Sequence, residues 1–324
     1  MAGAHAEARA IQVALKLGFF EVLAEGPIHA QALSAALKTD MRATALLANA
    51  MAALGLLESS DDGYRLADGS RRFLVKSSPE YLGGMILFDE AIFQHWVRLE
   101  DSIRSGRPAR TPDMFQSDPA DTERFIRAMD SLTRARGDAT WVAQHLDLAN
   151  VMRIADLGGG PGTYLAAMVK HWPSARGMLW DLPATLRVAR RVLEEGDREV
   201  ADRIDLVEVD YLTAALPGPV DAIFMSNIIH SENEADNAML IMKCFEAIAP
   251  GGMIIIKDHV MNRALTMPRT GAIFSLYLLL TTRGRDYSFD EIAGWLNAAG
   301  FVDPKLETLP APPFSSSLVI ASKP

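Results

Sequence analysis

The sequence predicts an α/β protein built on a doubly wound, mostly parallel sheet with an antiparallel edge, preceded by a helical N-terminal domain of winged-helix type. Three observations lead there. Near Leu146 to Asn150 an alanine-rich helical texture gives way to short β-runs alternating with helical segments. The first of those runs ends in a glycine-rich turn, Asp156 to Thr163. In the N-terminal half, three helical stretches are followed by a hairpin pattern.

Ile11, Leu15 and Leu17 to Leu23 suggest one helix ending near Gly26-Pro27. Ala30 to Leu37 and Met41 to Leu54 suggest two more, separated by a few polar residues. Leu56 to Glu58, then Asp61-Asp62-Gly63, then Tyr64 to Leu66 read as a hairpin with Asp-Gly at its turn.

A winged helix invites a DNA-binding reading, so the charges matter. Residues 1–100 carry nine Lys or Arg against twelve Asp or Glu, and the would-be recognition helix from Met41 has one cation, Arg42. Nonspecific DNA affinity comes mostly from neutralised phosphates, and this surface has little to supply it. The alanine, methionine and leucine of that helix suggest burial on more than one side, against its own domain or a partner subunit.

In the second half the expected parallel strands are Val151 to Leu157, Gly177 to Asp181, Ile204 to Asp210, Val220 to Asn227 and Met253 to Lys257. Ser288 to Glu291 has capping-box spacing and opens a helix that stops at Gly300. Phe301 to Thr308 and Ser317 to Ser322, separated by Pro310, Pro312 and Pro313, would form the antiparallel edge.

The whole chain is that of an ordinary globular protein: 324 residues, 49% hydrophobic, 23% charged, formal net charge −9. A single cysteine, Cys244, excludes an internal disulfide and a thiolate metal cluster, and suits a reducing cytosol. Met1 to Ala10 lacks the pattern of a signal peptide, and apolar runs such as Ala272 to Leu280 are too short to span a bilayer. A cytoplasmic protein without membrane partners is the expectation.

The most informative stretch is Asp156-Leu-Gly158-Gly-Gly160-Pro-Gly162-Thr163. A strand that ends in an acid and turns through glycines into a helix presents backbone N–H groups to whatever binds above the strand ends. The spacing is D-x-G-x-G-x-G, whereas the dinucleotide fingerprint would need glycine at Thr163, which favours S-adenosylmethionine over NAD. Asp181, ending the second strand, is placed for ribose hydroxyls, and Asp210, ending the third, for an adenine amino group.

With these residues in view, the chain resembles the plant-type small-molecule O-methyltransferases, among them caffeate, hydroxyindole and bacterial polyketide O-methyltransferases. The resemblance runs over nearly the whole chain and rests on Asp156 to Gly162, Asp181-Leu182-Pro183, Val209-Asp210-Tyr211, Ile228-Ile229-His230 and Ala249-Pro250-Gly251-Gly252. It implies a winged-helix dimerisation domain over residues 1–100 and a helical linker lining the active site over 101–147. Residues 148–324 would then form a class I methyltransferase domain. It also implies a homodimer whose N-terminal helices help wall the partner's active site. The implied cofactor residues are Asp156, Gly158, Gly160, Gly162, Asp181, Leu182, Asp210, Tyr211 and Ser226.

His230 follows the fourth strand, at the carboxyl end of the sheet where ligands bind. In the family the equivalent histidine removes the acceptor's hydroxyl proton, a task that suits an imidazole with an ordinary pKa near 6.5. Asp258 and Asp286 fall where the family places glutamates flanking that histidine. The family commonly reads His-Asp-Trp, but here His230 is followed by Ser231 and Glu232, and Ser226 stands where many plant members have lysine. Met129, Phe274, Tyr277 and Thr281 are the expected acceptor-pocket residues, in an apolar pocket for a small hydroxylated acceptor. No metal is expected, because His230, Asp258 and His259 come from separate strand ends without a His-x-x-x-His or Cys-x-x-Cys pair. The alternatives are a relative that uses the cofactor for nitrogen, carbon or non-methylating chemistry, and a cofactor-sensing transcriptional regulator.

Overall fold

The computed structural model describes residues 3–310 and 316–324, so Pro312 and Pro313 of the expected proline-rich spacer lie outside the described residues. The chain divides into two compact units, Met1–Phe93 and Gln94–Pro324.

The first unit holds α1 (Ala4–Lys16), α2 (Phe19–Ala24), α3 (Ala30–Leu37), α4 (Met41–Ala53), β1 (Leu57–Ser60), β2 (Gly63–Leu66) and α5 (Asp68–Phe73), and α6 (Gly83–Trp96) begins in it. The single first helix expected from the sequence is two. The chain turns at Gly18 in a left-handed conformation, which apolar periodicity running on from Leu15 to Leu23 conceals. That turn lets Phe19, Phe20 and Leu23 pack with Leu33, Met51 and Leu57 in a common core. The hairpin pairs Ser60 with Gly63, so its two turn residues are Asp61 and Asp62, and the glycine expected in the turn opens β2 instead. Gly63 has φ +105, and a Cβ there would stand 2.5 Å from the carbonyl oxygen of Ile28. Its bareness lets Ile28 bridge to Tyr64 through two 3.0 Å hydrogen bonds, an isolated antiparallel bridge on the outer edge of β2.

The second unit begins with α7 (Leu99–Ser105), α8 (Pro119–Arg136) and α9 (Asp138–His145). Its seven-stranded sheet is built from β3 (Arg153–Leu157), β4 (Arg176–Asp181), β5 (Ile204–Glu208), β6 (Val220–Ser226), β7 (Ile248–Asp258), β8 (Val302–Thr308) and β9 (Ser317–Ser322), in the order β5-β4-β3-β6-β7-β9-β8. The first five are parallel, and β9 runs antiparallel to both β7 and β8. β7 is longer than expected. Ala249 to Gly252, expected to precede the strand, lies within it as a bulge, where Val220 pairs with Ile248 but Ala222 with Met253.

The remaining helices are α10 (Thr163–His171), α11 (Pro183–Gly196), α12 (Arg198–Ala201), α13 (Glu234–Ala247), α14 (Arg269–Thr281) and α15 (Phe289–Ala299). The capping box at Ser288 and Glu291 and the left-handed stop at Gly300 form as expected. Alternate strand residues pack on opposite faces of the sheet. Leu179, Phe224 and Ile255 join the core that includes α10 and α11, whereas Trp180, Ile223, Met225, Ile254 and Ile256 join the one with α13 and α15. Because both faces are buried, the strands read as continuous apolar runs. Within the sheet, fully buried Lys257 sets its Nζ 3.2 Å from Asp138, tying α9 to the strand that carries Asp258. Among the described residues no helix is long and apolar enough to cross a membrane.

Candidate active site

A cleft enclosing about 1300 Å³ of space open to solvent lies at the carboxyl ends of β3, β4, β5 and β6 in the second unit. Its floor is the turn after β3. Gly158 has φ +64, and a Cβ on it would fall 2.4 Å from Cδ1 of Ile228. The turn is therefore pressed against the end of β6, with the Gly158 N–H donating to the carbonyl of Trp180 at 2.7 Å.

Four carboxylates line this cleft: Asp156, Asp181, Asp210 and Glu232. Asp156 is buried with neither carboxyl oxygen hydrogen-bonded, and burial, with Asp181 adding, pushes it up to about 8. Asp181 accepts from the N–H of Gly160 at 2.9 Å and of Leu182 at 2.7 Å, and burial still pushes it up to about 6. Asp210 accepts from the Leu212 N–H at 3.0 Å and the Thr213 hydroxyl at 2.8 Å. The Tyr211 hydroxyl donates to Glu232 at 2.9 Å. Ser226 also lines the cleft and accepts from the Asn227 side chain at 3.1 Å. These residues fit the cofactor that the sequence predicts. S-adenosylmethionine carries a sulfonium and an ammonium, and Asp156 offers buried oxygens with no protein donor of their own.

The opposite wall comes from residues that single-sequence reasoning did not pick out. α8 contributes Phe125, Ile126 and Leu132 beside the expected Met129, and the segment before it contributes Met114 and Gln116. The Gln116 amide donates to the Thr185 hydroxyl at 3.1 Å and so ties that segment to α11. The apolar spacing along α8 was the available signal. Nothing local marks Gln116.

His230 sits in a short 3₁₀ turn, Ile229–Ser231, whose neighbours Ile228 and Glu232 line the cleft. The turn is held from behind by the Asn237 amide, which donates to the carbonyls of Ile229 at 2.8 Å and Glu232 at 3.1 Å. Nδ1 of His230 lies 2.7 Å from Oδ1 of Asp258 and 3.9 Å from Oδ1 of Asp286. Burial acts to lower the imidazole pKa, but the charge and hydrogen bond of Asp258, with Asp286 behind, outweigh it and hold His230 above its ordinary value. Burial pushes Asp286 up, and its Oδ2 also stands 3.6 Å from Nδ1 of His259. Asp286 thus stands near two histidines, His230, beside which it is expected, and His259.

The three side chains offer ligand atoms within 4.8 Å of one another, a donor set that could hold a cation and that separation along the sequence hides. At 2.7 Å the His230–Asp258 contact is a hydrogen bond. Phe274 stands edge-on to His230 and to His259, its ring centroid 5.2 Å from each, and stacks on Tyr277. Thr281 is buried and donates its hydroxyl to the carbonyl of Tyr277 at 2.8 Å. Of the four expected acceptor-pocket residues, only Met129 lines the cleft described here.

The model of the O-methyltransferase domain matches residues 96–302, and that of the O-methyltransferase dimerisation domain matches residues 1–76. The chain is 30% identical to 3-hydroxy-5-methyl-1-naphthoate 3-O-methyltransferase of Streptomyces sahachiroi, over 90% of this chain and 84% of that one. It is 28% identical to the N,N-dimethyltransferase OxyT of Streptomyces rimosus, over 81% and 78%. In fold it is similar to human N-acetylserotonin methyltransferase, solved in complex with SAM, at a TM-score of 0.90 and 23% identity, over 99% of this chain and 95% of that one.

Proposed function

The chain belongs to the O-methyltransferase family, and from that premise we propose that it methylates a hydroxyl of a small hydrophobic or aromatic metabolite with His230 as general base. Its cofactor is S-adenosylmethionine, which when bound supplies an electrophilic methyl group on its sulfonium. Asp156, the Gly158 to Gly160 turn, Asp181, Asp210 and Tyr211 would hold it.

The observation that carries the reading is the buried His230–Asp258 hydrogen bond. With Nδ1 donating to Asp258, the tautomer leaves Nε2 as the acceptor of the hydroxyl proton. Nε2 would take the acceptor's hydroxyl proton as the acceptor oxygen receives the methyl group that the cofactor supplies. Asp258 stabilises the resulting imidazolium, and Asp286 adds a second negative group. Residues 1–100 would form the dimerisation domain, 101–147 one wall of the site and 148–324 the catalytic domain. A homodimer built on the N-terminal unit is supported by its match to the dimerisation model and by exposed Met41 and Leu46 on α4.

The test is His230→Ala, assayed by transfer of labelled methyl to a panel of hydroxylated naphthoates and phenols. Turnover should fall about 100-fold or more if base catalysis contributes its usual share, while calorimetric affinity for S-adenosylmethionine stays within about threefold of wild type. Equal loss of both would make His230 structural and end the proposal. Amine methylation is the second reading, favoured by the likeness to a relative named as an N,N-dimethyltransferase. Activity confined to amines in the same panel would select it.

A further inference from the structure

Glu232 carries an observation that the catalytic scheme leaves unused. It is 4% exposed and lines the cofactor cleft. Its Oε1 accepts from the Tyr211 hydroxyl at 2.9 Å, whereas Oε2 is buried without a hydrogen-bond partner, and Nη2 of the half-exposed Arg283 stands 4.0 Å off. The main chain beneath it is fixed, because its carbonyl accepts from the Tyr287 hydroxyl at 2.6 Å and the Asn237 amide at 3.1 Å. Glu232 therefore presents one preorganised acceptor oxygen, and an acceptor buried without a donor costs free energy that a ligand's donor would restore.

Position says which donor. In a doubly wound sheet the acid after the second strand meets the ribose, here Asp181, so the base lies farther along, beside Asp210 and Tyr211. Both oxygens of Asp210 already accept from Leu212 and Thr213. Of the two carboxylates around Tyr211, Glu232 is the one with an oxygen that has no donor. We propose that Glu232 Oε2 accepts a hydrogen bond from the exocyclic amino group of the cofactor's adenine, making this chain select an amino-purine over an oxo-purine cofactor. The inference rests on the cofactor assignment and is independent of which acceptor is methylated.

The experiment is calorimetric titration of the full chain with S-adenosylhomocysteine and with S-inosylhomocysteine, whose base carries a carbonyl in place of the amino group. Wild type should prefer the adenosyl ligand by about tenfold or more, as expected for a hydrogen bond to a charged acceptor. In Glu232→Gln, Oε1 keeps its bond from Tyr211 and the amide NH2 takes the place of Oε2. That variant sets a donor against the adenine amino group and should erase or reverse the preference. Glu232→Leu, which has neither donor nor acceptor, should lose the preference without reversing it, and it stands in if the glutamine variant fails a thermal-unfolding check. An undiminished preference in a folded variant, or equal weakening of both ligands, would overturn the proposal. Failure of wild type to bind either ligand would instead bring down the cofactor assignment and this inference with it.

Discussion

Two sets of carboxylates lie near the carboxyl ends of this sheet, and they differ in what faces them. Asp258 and Asp286 converge on His230, so their charge has a partner inside the protein. Asp156 and Asp181 have no such cation. Backbone N–H groups serve Asp181, and nothing serves the oxygens of Asp156. In the first set Oδ1 of Asp258 binds His230, while Oδ2 of Asp258 and both oxygens of Asp286 make no hydrogen bond. The second faces the open cleft without a cation of its own, and burial holds both its acids above the ordinary carboxylate range.

The largest effect should come from breaking the set that faces His230. Asp258→Asn keeps the shape but removes the charge, and turnover should fall roughly 100-fold or more as His230 loses its tautomer and its imidazolium partner. The pH profile separates this from a structural defect. Wild-type kcat/KM should fall on the acid side with an inflection above about 6.5, the ordinary imidazole value, because His230 is held above it. Without Asp258 burial dominates and the inflection should move below that value. An unmoved inflection would mean that Asp258 does not tune the base.

Breaking the floor beneath the cleft-facing set comes next. A Cβ on Gly159 would stand 2.4 Å from Cγ of Asp156 and 2.5 Å from Cδ1 of Leu179. Gly159→Ala should weaken cofactor binding about tenfold or more and lower stability by about 1–3 kcal/mol, measured by calorimetry and denaturant unfolding. Unchanged affinity would show that the turn does not cradle the ligand.

The pH dependence of stability sharpens the contrast. Asp156 and Asp181 sit at about 8 and about 6 in the folded protein, against about 4 unfolded. The folded state thus retains protons that the unfolded chain has released. Their contribution is fully present below about pH 4 and is lost as pH rises through about 6 and then about 8. Unfolding midpoints of the ligand-free protein should fall over that interval, and S-adenosylmethionine, whose positive charge draws the acids down, should bind more tightly as pH rises and flatten the fall. A flat profile without ligand would remove the distinction between the two sets. The smallest effect is expected from Gln116→Ala, which deletes one 3.1 Å hydrogen bond across the cleft to Thr185 and one 3.2 Å bond within its own segment to the Met114 carbonyl. It should change cofactor affinity by less than about tenfold, because one neutral hydrogen bond is worth about 1 kcal/mol net.

Features that are local in sequence were legible in it. The glycine turn, the acid closing β4, Asp210 two residues past the end of β5 and the capping box each stand in short sequence patterns that mark them without knowledge of the fold. The break at Gly18 was hidden because apolar spacing continues across it. The shift of Gly63 out of the turn depends on Ile28, 35 residues upstream, whose carbonyl sets the limit on bulk. Motif position named His230 and Asp258, but that Asp286 also approaches His259 depends on how α14 and the segment after it fold back. Glu232 was visible only as a departure from the His-Asp-Trp pattern. That one of its oxygens lacks a donor follows from Tyr211, 21 residues away.

The position of β9 bears on how the protein is made. It is the last described strand along the sequence, yet it lies between β7 and β8 and forms ladders with both. On the ribosome, β7, with Asp258 at its end, emerges more than 50 residues before the strand that covers its free edge. During that interval an apolar strand with open hydrogen-bonding groups is exposed to any other nascent chain. Cover for that edge thus arrives late, with the seating of Ser317–Ser322, whose first residue pairs with Asp258.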